Sequence, residues 1–174
     1  MTTSKMNHAG YFCNVLTLED LKKQYRTLAL KHHPDKGGDT ATMQAISAEY
    51  ERLFKMLKDT HRAADGTIYT TSTYSQETAA EFINIIEVLI KLDGLIIEIC
   101  GRFLWLSGNT REHKETIKGL GFRWSNDKKA WYLAPKGYRK SSRTDWSMED
   151  IRNKFGSETV ERSENKPKYA LIAA

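Results

Sequence analysis

The sharpest local signal in the chain is His33-Pro34-Asp35, followed by Lys36-Gly37-Gly38-Asp39. Taken as bare residues it is a helix-ending turn, with proline setting the geometry and aspartate offering a side-chain cap. It offers recognition chemistry more readily than catalysis. No Ser or Cys elsewhere stands at a recognisable nucleophile spacing from a His. The phosphate-cradling pattern Gly-x-x-x-x-Gly-Lys is absent. The paired carboxylates Glu19-Asp20 and Glu149-Asp150 sit where helices begin, and the helix dipole explains them. His8, His61 and His113 are scattered, and Cys13 and Cys100 form no Cys-x-x-Cys pair. The expectation is a protein that is not an enzyme, with no metal and no cofactor.

The elements flanking the tripeptide give it meaning. Leu18 to His32 has a helical period, with Leu18, Leu21, Tyr25, Leu28 and His32 on one stripe and Thr17 as N-cap. Pro34 stops this helix. A second helix starts at Asp39 or Thr40 and runs to about Lys58, with Met43, Ile46, Tyr50, Leu53, Phe54 and Leu57 inward. Two amphipathic helices joined by a short loop pack as an antiparallel hairpin, with the tripeptide at its bend. Lys22, Lys23, Arg26 and Lys31 lie off the apolar stripe of the first helix. Read as an exposed basic face, they would attract an acidic partner surface and fix its orientation. Read alone, they are also what an ordinary solvated helix face looks like.

The stretch Leu21-Lys22-Lys23-Gln24-Tyr25-Arg26-Thr27-Leu28-Ala29-Leu30-Lys31-His32-His33-Pro34-Asp35-Lys36 closely resembles helix II and the following loop of a J domain. Met43 to Tyr50 is similar to the matching part of helix III, and Leu57 to Asp65 to the short fourth helix. The resemblance covers about residues 8–65. The run His33 to Asp39 is also similar to the J domains of polyomavirus T antigens, whose cysteine-rich zinc domains have no counterpart here. The resemblance implies a co-chaperone that docks on a DnaK-type chaperone and stimulates its ATP hydrolysis. It implies a docking set of His33, Pro34, Asp35, Lys22, Lys23, Tyr25, Arg26, Lys31 and Lys36. Asp35 would engage an arginine of the partner, Pro34 would fix the loop, and His33 would hold the loop and touch the partner. The residue pattern itself reads Tyr25, like Phe54, as a core residue with no direct partner role. From Tyr11 to Leu21 the chain is several residues shorter than the family pattern, so helix I is expected as a stub around Tyr11, Phe12 and Val15.

Beyond Asp59 the periodicity fades, and Gly66 to Ser75 is polar and turn-rich, as in a linker. Glu77 to Leu92 is helical again, with Phe82, Ile85, Ile86, Leu89 and Ile90 as its apolar face. Leu95–Cys100 and Phe103–Ser107 suggest two strands, Asn109 a helix cap with Glu112 reaching back, and 122–125 and 130–133 a second strand pair. Ser147 caps a last short helix ending at Phe155, and the tail beyond it is polar and expected to be loosely held.

Charge is unevenly spread. Residues 75–93 carry four acidic side chains against one basic, and residues 94–140 carry ten basic against four acidic. Basic side chains interleaved with tryptophans suit single-stranded nucleic acid, because rings stack on bases while cations neutralise phosphates. Arg102, Trp105, Arg111, Lys114, Lys118, Arg123, Trp124, Lys128, Lys129 and Trp131 are the candidates for such a site or for a client surface. Gly121 to Tyr132 weakly resembles small strand–helix–strand modules appended to nucleic-acid enzymes. A small sheet also needs large aromatics in its core, and Trp124 and Trp131 fit a cross-strand pair.

The expected architecture is α+β: a J-domain hairpin (1–66), a linker (67–76), a linking helix with a β-β-α-β-β unit (77–140), and a short helix with a tail (141–174). The 174-residue chain has a net charge of +5. It has no apolar run long enough for a bilayer and no secretory signal, so a cytoplasmic protein is expected, without membrane partners. The expected partners are a DnaK-type chaperone and a client of unknown identity. The competing reading is a nucleic-acid-binding protein that recruits the chaperone to a replication or mobile-element complex.

Overall fold

The computed structural model describes residues 10–63, 65–71, 77–138, 146–155 and 157–159. Helix α1 (Leu18–His32) and helix α2 (Thr40–Leu57) form the antiparallel hairpin, joined by a 3-10 turn at Pro34–Lys36. Both N-termini are capped by the residues whose chemistry marks them. Thr17 Oγ1 accepts from Asp20 N–H at 3.2 Å, and Asp39 Oδ2 accepts from Thr42 N–H at 2.8 Å. The hairpin core is aromatic: Phe12, Tyr25, Tyr50 and Phe54 are buried together, with Tyr25 and Tyr50 rings 4.4 Å apart.

Two expectations near the hairpin are corrected. The segment before α1 forms no helix among the described residues. It runs irregularly, with Tyr11 N–H on Glu49 and Cys13 N–H on Gln24, and inserts Phe12 as a plug. The fourth helix is also replaced. Strand β1 (Thr60–Arg62) pairs antiparallel with strand β2 (Ile68–Thr70), in a stretch that had read as helix and linker. Pairing Thr60 with Thr70 satisfies backbone groups that β-branched and aromatic residues keep extended. The ribbon is fastened to the start of α1: His61 is buried with its Nδ1 2.7 Å from Glu19 Oε1, and Arg62 donates to Asp20 at 3.0 Å.

Helix α3 (Ala79–Lys91) is held at its N-terminus by a capping box between Thr78 and Glu81. It leads into a five-stranded antiparallel sheet ordered β5-β6-β4-β3-β7. The strands are β3 (Leu95–Cys100), β4 (Phe103–Gly108), β5 (Arg123–Ser125), β6 (Ala130–Leu133) and β7 (Ser157–Thr159). Helix α4 (Lys114–Gly119) lies between β4 and β5. It starts later than the Asn109 cap suggested: Asn109 Nδ2 does bond Glu112 Oε2 at 2.8 Å, but helical structure begins after His113. Strand β7 was not foreseen. It pairs Ser157–Thr159 with Cys100–Glu98, where a loosely held tail was expected.

Alternation along the strands divides the sheet into two faces. Ile97, Ile99, Leu104, Leu106 and Trp131 join the cluster containing α1, α2 and α3, so the two halves of the chain share one hydrophobic core. On the opposite face Cys100, Trp105 and Ala130 pack beneath Met148 and Ile151 of α5 (Met148–Phe155). There Arg152 grips buried Glu98 with two hydrogen bonds of 2.7 and 2.8 Å, a bidentate pairing that also fixes α5 on the sheet. Burial, then the neighbouring Glu98 carboxylate, pushes the Cys100 thiol up to about 12. Since the thiolate is the reactive form, one thiol per chain, that of exposed Cys13, is expected to react with an aromatic disulfide reagent at pH 8 before denaturant is added. Two fast-reacting thiols in the native protein would refute the closed packing of α5 over Cys100.

Candidate functional site at the hairpin bend

The bend is built by the residues its sequence supplies. His33 is buried, and its Nδ1 accepts the backbone N–H of Asp35 at 3.1 Å. The 3.9 Å approach of that nitrogen to the Asp35 carboxylate is too long for a hydrogen bond. Pro34 opens the 3-10 turn, where its missing N–H costs nothing. Carbonyls of His33 and Pro34 accept from Lys36, Gly37 and Gly38 at 2.9 to 3.0 Å. Gly37 takes a left-handed conformation (φ 85°), and a Cβ on Gly38 would meet the His32 carbonyl at 2.1 Å. The two glycines thus let the chain turn tightly enough to leave Pro34 and Asp35 exposed at the tip. The result is a stiff, projecting carboxylate.

The flank of α1 differs from the expected open basic face. Lys31 is exposed and Lys23 half-buried, but Lys22 is 7% exposed and Arg26 0%. The Lys22 ammonium pairs with Glu77 Oε1 at 2.6 Å and lies 5.0 Å from the centre of the Phe82 ring. Arg26 reaches the main-chain carbonyl of Ile97, in the part of β3 that β7 does not pair. Tyr25 is in the core, against Tyr50 and Phe82, with its hydroxyl near Ser47 Oγ at 3.3 Å; burial pushes its pKa up to about 12. At the tip, Lys36 Nζ is 3.3 Å from Asp93 and Lys91 Nζ is 3.9 Å from Asp35.

Of the nine residues proposed for docking, His33, Pro34, Asp35, Lys31 and Lys36 gather around the bend. Lys23 remains half-open on α1, while Lys22, Tyr25 and Arg26 face the rest of the chain. The physical reason is the apolar face of α3 and β3, which needs a partner surface and finds it on α1. Glu77, Phe82, Lys91 and Asp93 were missed as neighbours of the site. Their signal was present in the acidic stretch 75–93, the complement of a basic helix.

The second candidate surface is dispersed in the same way. Trp105 and Trp131 are each 6% exposed, so neither can stack on a base; both are corrected to core residues. Trp124 is 43% exposed, stands edge-on to Trp131 across the β5–β6 pair, and donates its indole N–H to Asn126. Arg102, Arg111, Lys114, Lys118, Arg123 and Lys129 are exposed and Lys128 half-buried, spread over loops, α4 and β5. Among the described residues no group of three or more His, Cys, Asp or Glu could hold a metal, and no helix is long and apolar enough to cross a membrane.

Comparison with known proteins finds likeness only to short stretches of them. The chain is 57% identical over 37 residues to DnaJ protein homolog 2 of Allium porrum, covering 21% of this chain and 9% of that protein. It is 51% identical over 37 residues to the Translocation protein SEC63 homolog of Mus musculus, covering 21% and 5%. Against Chaperone protein dnaJ 2 of Arabidopsis thaliana the identity is 51% over 35 residues, covering 20% and 8%. The chain thus spans a tenth or less of the length of these relatives. What it shares with them is a short segment at the N-terminus that resembles a J domain. No family model matches the chain, and no solved structure matches it.

Proposed function

We propose that this chain is a co-chaperone that presents Asp35 to a DnaK-type chaperone, stimulates its ATP hydrolysis and carries out no covalent chemistry itself. The observation that supports this most directly is the tip: a carboxylate exposed on a proline-stiffened turn, held from behind by a buried histidine. A carboxylate held this way can meet an arginine without the entropy cost of ordering a flexible loop. Lys31 supplies positive charge near the bend and Lys23 further back along α1, and long-range attraction to an acidic partner then speeds encounter. Binding energy that differs between the partner's two states biases it toward the hydrolysing one. The C-terminal sheet and its helices would select client or location.

Asp35→Asn keeps shape and removes charge. Charge-assisted hydrogen bonds contribute about 1.5–3 kcal/mol, so stimulation of single-turnover ATP hydrolysis should fall by roughly 10- to 100-fold at fixed concentration. An unchanged rate with Asp35→Asn, or no stimulation by the natural chain, would sink the proposal. The nucleic-acid alternative keeps one exposed ring, Trp124, with Arg123 and Lys129 exposed on the same β5–β6 ribbon. Salt-sensitive quenching of tryptophan fluorescence by a single-stranded oligonucleotide would favour it.

A further inference from the structure

The geometry points to an autoinhibited co-chaperone: α3 and β3 cover the basic face of α1 that the docking partner needs, with the Glu77 carboxylate on Lys22 standing in for the partner's acidic surface. This inference rests on the co-chaperone reading and adds a regulation to it. Three contacts make up the cover. Glu77 holds Lys22 at the N-terminal end of α3, the Ile97 carbonyl holds Arg26 midway, and Asp93 and Lys91 pair with Lys36 and Asp35 at the bend. They touch α1 at its first turns, midway and at its tip, so the second module reads the Lys22–Arg26 part of the docking face and leaves Lys31 exposed and Lys23 half-buried. Each contact uses the polarity an external partner would have to supply.

The cover is fastened firmly midway, by buried Arg26 and the shared core, and loosely at its bend end. The Lys36–Asp93 and Lys91–Asp35 pairs are solvent-exposed and therefore weak. The Lys22–Glu77 pair borders a cleft of about 400 Å³ between α3 and the sheet, which Glu81 and Lys136 also line. Lys136 pairs with Glu81 across it. A partner with higher affinity for the open face would shift the population toward it.

The test uses the full chain with Glu77→Arg, which places like charge against Lys22, and separately Asp93→Arg, which does so against Lys36. Neither residue belongs to the docking set, and unchanged far-UV circular dichroism checks that each variant folds. Two quantities are read: acetylation of Lys22 by an amine-reactive ester, followed by mass spectrometry, and stimulation of single-turnover ATP hydrolysis by a DnaK-type chaperone, with and without Asp35→Asn. In Glu77→Arg, Lys22 should acetylate about tenfold faster and stimulation should rise about fivefold or more, remaining dependent on Asp35. Asp93→Arg should raise stimulation less. If Lys22 becomes reactive while stimulation stays at the natural level, the cover has no regulatory role and the co-chaperone reading stands without it. If Lys22 stays unreactive and stimulation is unchanged in both variants, these ion pairs are not the latch and the inference falls. If no chain stimulates in an Asp35-dependent way, the co-chaperone reading itself fails and takes the inference with it.

Discussion

Arg26→Ala is expected to destabilise the fold by about 3–5 kcal/mol, the sum of a large-to-small truncation in the core and a buried carbonyl left without its donor. An arginine on a solvated helix face would cost under about 0.5 kcal/mol. The difference comes from its position. Arg26 is fully enclosed between α1 and β3, and its guanidinium serves the Ile97 carbonyl. Truncation removes that donor, leaves a cavity the size of the side chain, and loosens α1 from the sheet. Arg26→Met should be much milder, within about 2 kcal/mol, because an apolar chain of similar length refills the space while the Ile97 carbonyl loses its donor. Urea unfolding of the two variants checks both values. An Arg26→Ala protein as stable as the natural one would place this side chain in water and remove the covered-face geometry altogether.

Tyr50→Ala should cost a similar amount, about 3–5 kcal/mol, through a different term. Tyr50 sits at the centre of the aromatic cluster: its ring is 4.4 Å from Tyr25, 5.7 Å from Phe82, 5.9 Å from Phe54 and 6.4 Å from Phe12. Those rings come from the opening segment, both hairpin helices and α3, so one truncation loosens all four. Its hydroxyl is buried with no hydrogen-bond partner among the described residues. Burial also holds its pKa well above the ordinary tyrosine value. Tyr50→Phe should therefore be neutral or slightly stabilising, since it removes an unsatisfied polar atom and keeps the ring. Urea midpoints for the Ala and Phe variants separate ring from hydroxyl. A Tyr50→Phe protein losing more than about 2 kcal/mol would show that the hydroxyl has a partner after all.

The hairpin was legible because local rules agree with one another there. Leu18–His32 was read to the residue: its cap, its apolar period and the proline that ends it all lie within the segment. Strands Leu95–Cys100 and Ala130–Leu133 were read equally well from short apolar runs and their bounding turns. Long-range pairing was not legible. Strand β1 needs β2, and β7 needs β3 more than fifty residues upstream; neither three-residue segment has a period of its own. The candidate site was half legible for the same reason. Tripeptide and glycines specify the tip locally, whereas the fate of Lys22 and Arg26 is decided by α3 and β3. A basic side chain off the apolar stripe looks solvated until the tertiary partner that covers it is known. The tryptophans show the reverse: Trp105 and Trp131 stood among basic residues in sequence, yet alternation sends them into opposite sides of the sheet.

The Arg26–Ile97 contact spans 71 positions of chain. On a ribosome adding about 5–20 residues per second, α1 emerges several seconds before β3 exists. Throughout that interval the growing polypeptide has nothing of its own to lay over its positive helix. If the hairpin folds as it emerges, a newly made molecule is born uncovered and becomes self-shielded only as synthesis proceeds, so its age on the ribosome would set when it can recruit help.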